Sequence, residues 1–156
     1  MQVWGVTDIG LVRKENQDAY LVRESGGHTI CVVCDGMGGA AGGRLASQIA
    51  TETFVDELER LLAPGMEPEQ LLSVSARAVF AANQAVREAA AESEAYQNMG
   101  TTLVAAVSYA GGTVVTNVGD SRAYHVTREG ITRVTKDHSL VERMVDRGDI
   151  TAEEAR

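Results

Sequence analysis

The centre of the fold is best located from one segment, Thr29-Ile-Cys-Val-Val-Cys-Asp35-Gly-Met-Gly-Gly39. Residues 29–34 are β-branched and apolar at successive positions, which predicts a strand covered on both faces. The glycines that follow predict a tight turn. On the N-terminal side, residues 3–6 and 19–22 are further apolar runs that predict strands, and the Ser-Gly-Gly of residues 25–27 predicts antiparallel pairing across a short turn.

Two amphipathic helices are predicted after this segment. Residues 44–62 and 68–91 carry apolar side chains at three- and four-residue spacing, and Pro68 occupies a first-turn position. Residues 101–134 predict a meander of four short strands. Ser139-x-x-Glu142 predicts a capped helix over residues 140–147 that ends at Gly148. This order of elements predicts an α+β fold rather than alternating βαβ units.

Size and charge exclude several classes of protein. The 156 residues include 14 Lys+Arg and 22 Asp+Glu, a net charge of −8. A chain of this size can bury one core, and an acidic chain without a basic face does not bind nucleic acid. The sequence has neither an apolar run of about 18 residues nor a signal-like N-terminus. We therefore expect a cytoplasmic protein with no membrane partner.

Cys31 and Cys34 form a C-x-x-C pair that could be a redox pair or half of a zinc site. Residues three apart on a strand point to opposite faces, and no second pair exists in the sequence. We therefore expect two structural cysteines.

Acidic residues at three strand ends are the candidates for chemistry. Asp18 comes directly before a predicted strand, Asp35 directly after one, and Asp120 lies in the turn Gly119-Asp-Ser121. One Asp-Gly pair is usually only a turn. Together they suit Mg²⁺ or Mn²⁺, which take oxygen ligands and need one or two carboxylates each. Arg13 offers a planar fork for a phosphate.

A dinucleotide site is the alternative interpretation of the glycines. Gly36-x-Gly38-x-x-Ala41 follows a strand and precedes a helix, with Asp56 about 20 residues further on. Asp35 would repel a pyrophosphate there, a second helix takes the place of the required strand, and Asp56 has a solvent-facing spacing. These features disfavour a dinucleotide site.

Five segments, taken in order, resemble the motifs of a known family. They are Gly10-Leu-Val-Arg-Lys-Glu-Asn-Gln-Asp-Ala-Tyr20, Asp35-Gly-Met-Gly-Gly39, Met99-Gly-Thr-Thr-Leu103, Asn117-Val-Gly-Asp-Ser-Arg-Ala-Tyr124 and Thr135-Lys-Asp-His-Ser-Leu140. In order and spacing they resemble the bacterial metal-dependent Ser/Thr protein phosphatases (protein phosphatase 2C).

The resemblance implies an α+β fold of two stacked antiparallel β-sheets flanked by helix pairs, an α-β-β-α sandwich. It also implies hydrolysis of phosphoserine and phosphothreonine in proteins with two or three Mn²⁺ or Mg²⁺ ions. The implied catalytic residues are Arg13, which holds the phosphate, and Asp35, which bridges the metals. The other implied metal ligands are Asp18, Gly36 through its carbonyl oxygen, and Asp120. Phosphorylated proteins are the implied substrates, with a Ser/Thr kinase as the opposing enzyme.

The sequence departs from the family pattern at several places. Gln17 stands where relatives usually carry Glu, which predicts a weaker neighbouring metal, and Met37 and Ala40 stand where some relatives carry His. Two later aspartates of the family are missing. A capping box at Thr151 lies close to the last residue, so we expect residues 1–156 to be the N-terminal part of a single phosphatase domain, incomplete at its C-terminus.

Two functions follow from this pattern: a phosphatase that is weakly active or inactive as this fragment, or a catalytically silent binding module of the same fold. The remaining chemistry-bearing residues have structural interpretations. Trp4 is expected in the core, His28 and His125 at surface or half-buried positions, Asp137 as a helix cap, and His138 as a structural hydrogen-bonding residue near the Ser139 capping box.

Overall fold

A computed structural model describes residues 1–151 and 153–155, with all their side chains except those of residues 40 and 41. The strands are β1 (Asp18–Ser25), β2 (His28–Met37), β3 (Gly100–Thr101), β4 (Leu103–Tyr109), β5 (Gly112–Val118), β6 (Tyr124–Val126) and β7 (Ile131–Arg133). The helices are α1 (Gly39–Leu61), α2 (Pro68–Ala91) and α3 (Leu140–Arg147), and a short 3-10 helix covers Glu94–Tyr96.

The larger sheet has the strand order β1-β2-β4-β5, with β3 pairing beside β4 on the far end of β2. Every pair in it is antiparallel. Strands β6 and β7 form a separate two-stranded ribbon, so the predicted four-strand meander divides after β5. The α+β class is confirmed. The described residues form one large sheet and a small ribbon rather than a complete two-sheet sandwich.

The core lies between one face of the larger sheet and the helices α1 and α2. Alternate residues of β2, including Ile30, Val32 and Cys34, are fully buried against the helices. Phe54 and Leu58 of α1 are fully buried among them. The opposite face of β2 remains partly open, and Asp35 lies on that face.

The two cysteines lie on opposite faces of β2, as the strand prediction required. Both are free; Cys34 is buried under the helices, and Cys31 is half-buried on the other face. Burial raises the pKa of Cys34 to about 12, and burial also raises the pKa of Cys31. Both thiols therefore stay protonated at neutral pH, which makes them poor nucleophiles and poor metal ligands.

The prediction of a strand at residues 3–6 is wrong. This segment has no strand pairing, and Trp4, expected in the core, is 89% exposed. The segment crosses the open face of the sheet, where Tyr20 Oη donates a hydrogen bond to the Gly5 carbonyl. An apolar run becomes a strand only where a neighbouring strand offers its backbone groups, and among the described residues no strand pairs with residues 3–6.

Helix α1 begins at Gly39, earlier than the predicted residue 44. The glycines at residues 42 and 43 have low helix propensity, but both are buried against neighbouring elements, and packing outweighs propensity here. Helix α2 begins at Pro68 with a Glu67–Gln70 capping box and ends at Ala91, which confirms the prediction.

Helix α3 confirms the capping signals in the sequence. Ser139 Oγ accepts a hydrogen bond from the Glu142 amide, and Gly148 ends the helix in a left-handed conformation with φ of 76°. The second capping box also forms its hydrogen bonds, between Thr151 and Glu154, around residue 152, which lies outside the described residues. Within the described part of the chain, no helix is long and apolar enough to cross a membrane.

Besides that of Trp4, two further structural interpretations, those of His28 and Asp137, are wrong, and that of His125 is confirmed. His28 is 5% exposed, because it begins β2 beneath the end of α1, whereas His125 on the ribbon is exposed as expected. Asp137 is not the cap of α3. It lies before the true cap, and its buried carboxylate forms an ion pair with the half-exposed Arg122.

Asp137 joins the loop after β5 to the segment before α3. Arg122 donates to it through Nε and Nη2, with Nη2 2.6 Å from Oδ2, and the carboxylate is 8% exposed. These hydrogen bonds hold the pKa of Asp137 below its ordinary value of 3.8. A lowered pKa means that folding favours the ionised carboxylate. The ion pair therefore contributes its full stability above the ordinary pKa of 3.8, and this stability is lost as the pH falls through the lowered pKa.

We expect Asp137→Asn to lower the melting temperature by roughly 5 °C at pH 7. The deficit should shrink as the pH falls below about 4, because the wild-type carboxylate is then protonated as well. Circular dichroism melts across pH 2.5–8 (roughly the range over which carboxyls titrate) measure both effects. Asp146→Asn is the control, since Asp146 pairs with Lys136 on the surface and its loss should change little. A deficit independent of pH would contradict the ion-pair account.

Candidate functional site

The acidic candidates meet on one rung of the larger sheet. Asp18 on β1 is paired directly with Asp35 on β2. On the other side of Asp35, the common register of β3 and β4 places Thr102 opposite it. Directly opposed residues share a face, so Asp18 and Asp35 both project from the face that the helices leave open. Beyond Thr102 the β4–β5 register leads to Gly119, the residue before Asp120.

The electrostatics of Asp35 report which charges lie near it. Partial removal of water raises the pKa of Asp35. The nearby Asp18 carboxylate raises it further, through repulsion and through a shared hydrogen bond, and Asp120 adds repulsion from further away. The Arg13 guanidinium acts in the opposite direction. Four of the residues singled out from the sequence, Arg13, Asp18, Asp35 and Asp120, therefore form one electrostatic group, although they come from three separate segments.

A cavity of about 690 Å³ opens over this group. Its lining includes Arg13, Asp18, Asp35 and Gly36, together with the glycine turn that follows. Asp120 does not line the cavity, but its negative charge repels that of Asp35. The cavity is large enough for a phosphate group and part of a peptide.

Two facing carboxylates, one of which, Asp35, has a raised pKa, are suited to a hard divalent cation, which would offset their mutual repulsion. Mg²⁺ keeps several of its waters in proteins, so one or two carboxylates can hold it. No three His, Cys, Asp or Glu side chains of the described residues lie close enough together to enclose an ion. The donor set therefore fits a hydrated ion on Asp18 and Asp35 but not a closed protein cage.

Gly36 allows the site to lie against α1. A Cβ at Gly36 would lie 1.9 Å from the Gly43 carbonyl oxygen, so no side chain fits there. The Gly36 amide donates to the Gln17 carbonyl at 3.1 Å, which ties the end of β2 to the residue before Asp18. Gly38 then turns the chain into α1 with φ of 122°.

Gln17 lines the same cavity, and its side chain contacts the start of α1. Its side-chain Nε2 donates to the Gly39 carbonyl at 2.7 Å, and its Oε1 lies against Gly43. The amide therefore holds the first turn of α1 against the start of β1. A glutamate there could not donate this hydrogen bond. Among the other departures, Met37 is exposed and lines the cavity, while the side chains of Ala40 and Ala41 lie outside the described part.

Sequence reasoning missed the polar residues that hold the site from behind. Thr102 Oγ1 accepts from the Asp35 amide and contacts Ser121 Oγ, and Thr101 Oγ1 lies 3.0 Å from the Asp35 carbonyl oxygen. His138 Nδ1 accepts from the Gly119 amide, and His138 directly precedes the Ser139 cap, which confirms the predicted hydrogen-bonding role near a cap. The signal for the threonines was the Met99–Leu103 motif, to which the residue pattern assigned no role.

The sheet topology rules out the dinucleotide interpretation. A dinucleotide fingerprint needs a parallel βαβ unit, whereas the strands beside β2 all run antiparallel to it. Asp56 is exposed on α1.

The family model of protein phosphatase 2C matches residues 12–143. The chain belongs to the protein phosphatase 2C family. It is 38% identical over 152 residues to the serine/threonine protein phosphatase PstP of Mycobacterium tuberculosis, covering 96% of this chain and 27% of that protein. It is 33% identical over 150 residues to the serine/threonine phosphatase stp of Listeria monocytogenes, covering 96% of this chain and 59% of that protein.

Solved structures of this family share the fold described above. The serine/threonine phosphatase Stp1 from Staphylococcus aureus matches with a TM-score of 0.85 and 35% identity, over 96% of this chain and 58% of that one. The Mycobacterium tuberculosis phosphatase PstP/Ppp matches with a TM-score of 0.76 and 34% identity, over 93% and 58%. The chain thus spans about three fifths or less of the family members it matches.

Proposed function

We propose that this chain forms the phosphate-binding and part of the metal-binding side of a metal-dependent phosphatase that acts on phosphoserine and phosphothreonine in proteins. The observation that carries the proposal is the pairing of Asp18 with Asp35 on one rung, under a cavity that Arg13 also lines. Membership of the phosphatase family supports the same reaction.

In this proposal the chain's own oxygen atoms hold Mn²⁺ or Mg²⁺. Asp35 would hold two ions, with the Gly36 carbonyl as a further ligand. Asp18 holds an ion directly or through water, and Asp120 serves a third ion. When bound, these cations supply Lewis acidity and make water nucleophilic at neutral pH. The repulsion that raises the pKa of Asp35 in the metal-free chain supports cation binding there.

Arg13 binds the phosphate in this proposal. It is exposed, it lines the cavity, and its charge acts to lower the pKa of Asp35, which supports a role in binding a phosphate close to the carboxylates. Two parallel N–H donors from one guanidinium can hold two phosphate oxygens.

A complete domain of this family would also cover the open face of the sheet. Tyr20, Val22 and Val33 are each about 40–47% exposed on the open face of the sheet, and a second stacked sheet would cover them. Phosphoproteins are the proposed substrates, a Ser/Thr kinase is the proposed opposing enzyme, and the cytoplasmic location stays a prediction.

One observation favours the silent binding module. The described residues do not bring three metal-binding side chains together, so no ion in this part of the chain is enclosed by protein ligands alone. A silent module would bind a phosphopeptide through Arg13 without releasing phosphate.

We expect the chain to release phosphate from a phosphothreonine peptide only when Mn²⁺ is added, and Arg13→Ala to lower kcat/KM roughly 10–100-fold, mostly through KM. Loss of the two parallel hydrogen bonds weakens phosphate binding. The kcat/KM of Arg13→Lys should lie between those of the wild type and Arg13→Ala, since lysine keeps the charge but not the planar pair of donors. Arg23→Ala, at the far end of β1, is the matched control. Peptide binding without release would favour the silent module, and neither binding nor release would refute both functions.

A further inference from the structure

The backbone ladder beside β2 is interrupted at one position, opposite Asp35. The pairs of β3 and of β4 with β2 keep the same register, yet Thr102 between them belongs to neither strand. The Thr102 amide donates to the Asp35 carbonyl at 2.9 Å. The Asp35 amide, however, donates to Thr102 Oγ1 at 3.0 Å. A hydroxyl therefore takes the place that a backbone carbonyl holds in a regular ladder.

The same hydroxyl reaches the loop that carries Asp120. Thr102 Oγ1 lies 2.6 Å from Ser121 Oγ, and both residues are half-buried. A hydroxyl has one donor and two acceptor sites, so Thr102 can accept from the Asp35 amide and bond to Ser121 at once.

The residue on the other side of Asp120 is also held against Thr102. A Cβ at Gly119 would lie 2.7 Å from Thr102 Cγ2, so the glycine permits close contact. His138 fixes Gly119 from outside, since its amide donates to the Gly119 carbonyl at 2.9 Å and its Nδ1 accepts from the Gly119 amide at 3.3 Å. Asp120 therefore lies between two residues that are both anchored on Thr102.

We propose that Thr102 is a positioning residue that sets the separation of the Asp35 and Asp120 carboxylates through its hydroxyl, and thereby the affinity of the site for divalent cations. The inference rests on the proposed function. If this is right, the effect of the Thr102 hydroxyl on cation affinity depends on the presence of the Asp120 carboxylate. A threonine that only supports the fold would have the same effect whether or not residue 120 carries a carboxylate.

A double-mutant cycle on the 156-residue chain tests this, with Mn²⁺ affinity measured by isothermal titration calorimetry. Thr102→Val keeps the side-chain shape and removes the hydroxyl, and we expect it to weaken binding about tenfold. Thr102→Ser restores the hydroxyl and should bind close to the wild type. In an Asp120→Asn background, Thr102→Val should change the affinity much less.

Hydrogen exchange in the metal-free chain supplies a second readout. The Asp35 amide should exchange faster in Thr102→Val, because its acceptor is gone. Ser121→Ala should leave that exchange unchanged while weakening Mn²⁺ binding, because only the link to the Asp120 loop is lost. If Thr102→Val does not fold, Thr102→Ser and Ser121→Ala decide the question.

The outcomes separate this inference from the proposed function. A wild-type chain that binds no Mn²⁺ would overturn both. A wild-type chain that binds Mn²⁺, with Thr102→Val or Ser121→Ala equal to it, would overturn the positioning role alone. An equal loss from Thr102→Val with and without the Asp120→Asn change would also overturn it, since the threonine would then act without reference to Asp120.

Discussion

Asp35→Asn is expected to lower Mn²⁺-dependent phosphate release at least roughly a thousandfold while the chain stays folded. Asp35 faces Asp18 across the rung, its charge is repelled by Asp120, and it is attracted by Arg13. An amide of the same shape keeps the rung intact but contributes no charge, so metal affinity and the charge stabilisation that metals provide are lost together. Phosphate release from a phosphothreonine peptide, with Mn²⁺ titrated, measures the effect.

Without metal, Asp35→Asn should be more stable than the wild type at neutral pH. The pKa of Asp35 is raised in the fold, so ionisation opposes folding, and the wild type loses stability as the pH rises through that pKa. Asparagine cannot ionise. The melting temperature of metal-free Asp35→Asn should therefore exceed that of the wild type at neutral pH and approach it in acid, while Mn²⁺ raises only the wild-type value.

Glu15→Gln is the matched control for both measurements. Glu15 lines the same cavity, but it is not on the Asp18–Asp35 rung. Its replacement removes one negative charge from the cavity and should leave both Mn²⁺-dependent release and the Mn²⁺-induced rise in melting temperature nearly unchanged. Equal losses in the two variants would mean that the cavity attracts cations only through its overall charge.

Gly36→Ala is expected to have the largest effect on stability, a loss of about 3 kcal/mol or more in the free energy of unfolding. The new methyl group would lie 1.9 Å from the Gly43 carbonyl oxygen, a backbone atom that cannot rotate away. Strand β2 and helix α1 would have to separate at the site, and the Gly36 amide would lose the Gln17 carbonyl. Urea unfolding measures the loss.

Gly100→Ala is a suitable control because it lies on β3, directly across from the same end of β2. Its methyl group would meet only the side chain of Met37, whose terminal Cε would lie 3.1 Å away, and that flexible side chain can move. We expect a change within about 1 kcal/mol. Similar losses in the two variants would show that general sensitivity of this end of the sheet, rather than the Gly36–Gly43 contact, determines the result.

Elements with local signals were predicted well. Helix α2 begins at Pro68 because a first-turn proline and a capping box act on adjacent residues, and α3 runs from its Ser139 cap to Gly148 for the same reason. The strand at residues 3–6 and the start of α1 were predicted wrongly. In both cases the outcome depended on a partner elsewhere: a strand neighbour that residues 3–6 lack, and close contact with β2 that outweighs the poor propensity of the glycines.

The candidate site divides in the same way. The sequence by itself determined which residues are candidates for the chemistry, because carboxylates beside glycines at strand ends, with an arginine nearby, form a pattern visible in one dimension. Only the tertiary structure decided which of them meet. Asp35 and Thr102 are 67 residues apart in the chain and one hydrogen bond apart in the sheet. That distance is set by strand register, and register depends on which faces of β1, β2 and β4 pack against the helices, which is a property of the whole core.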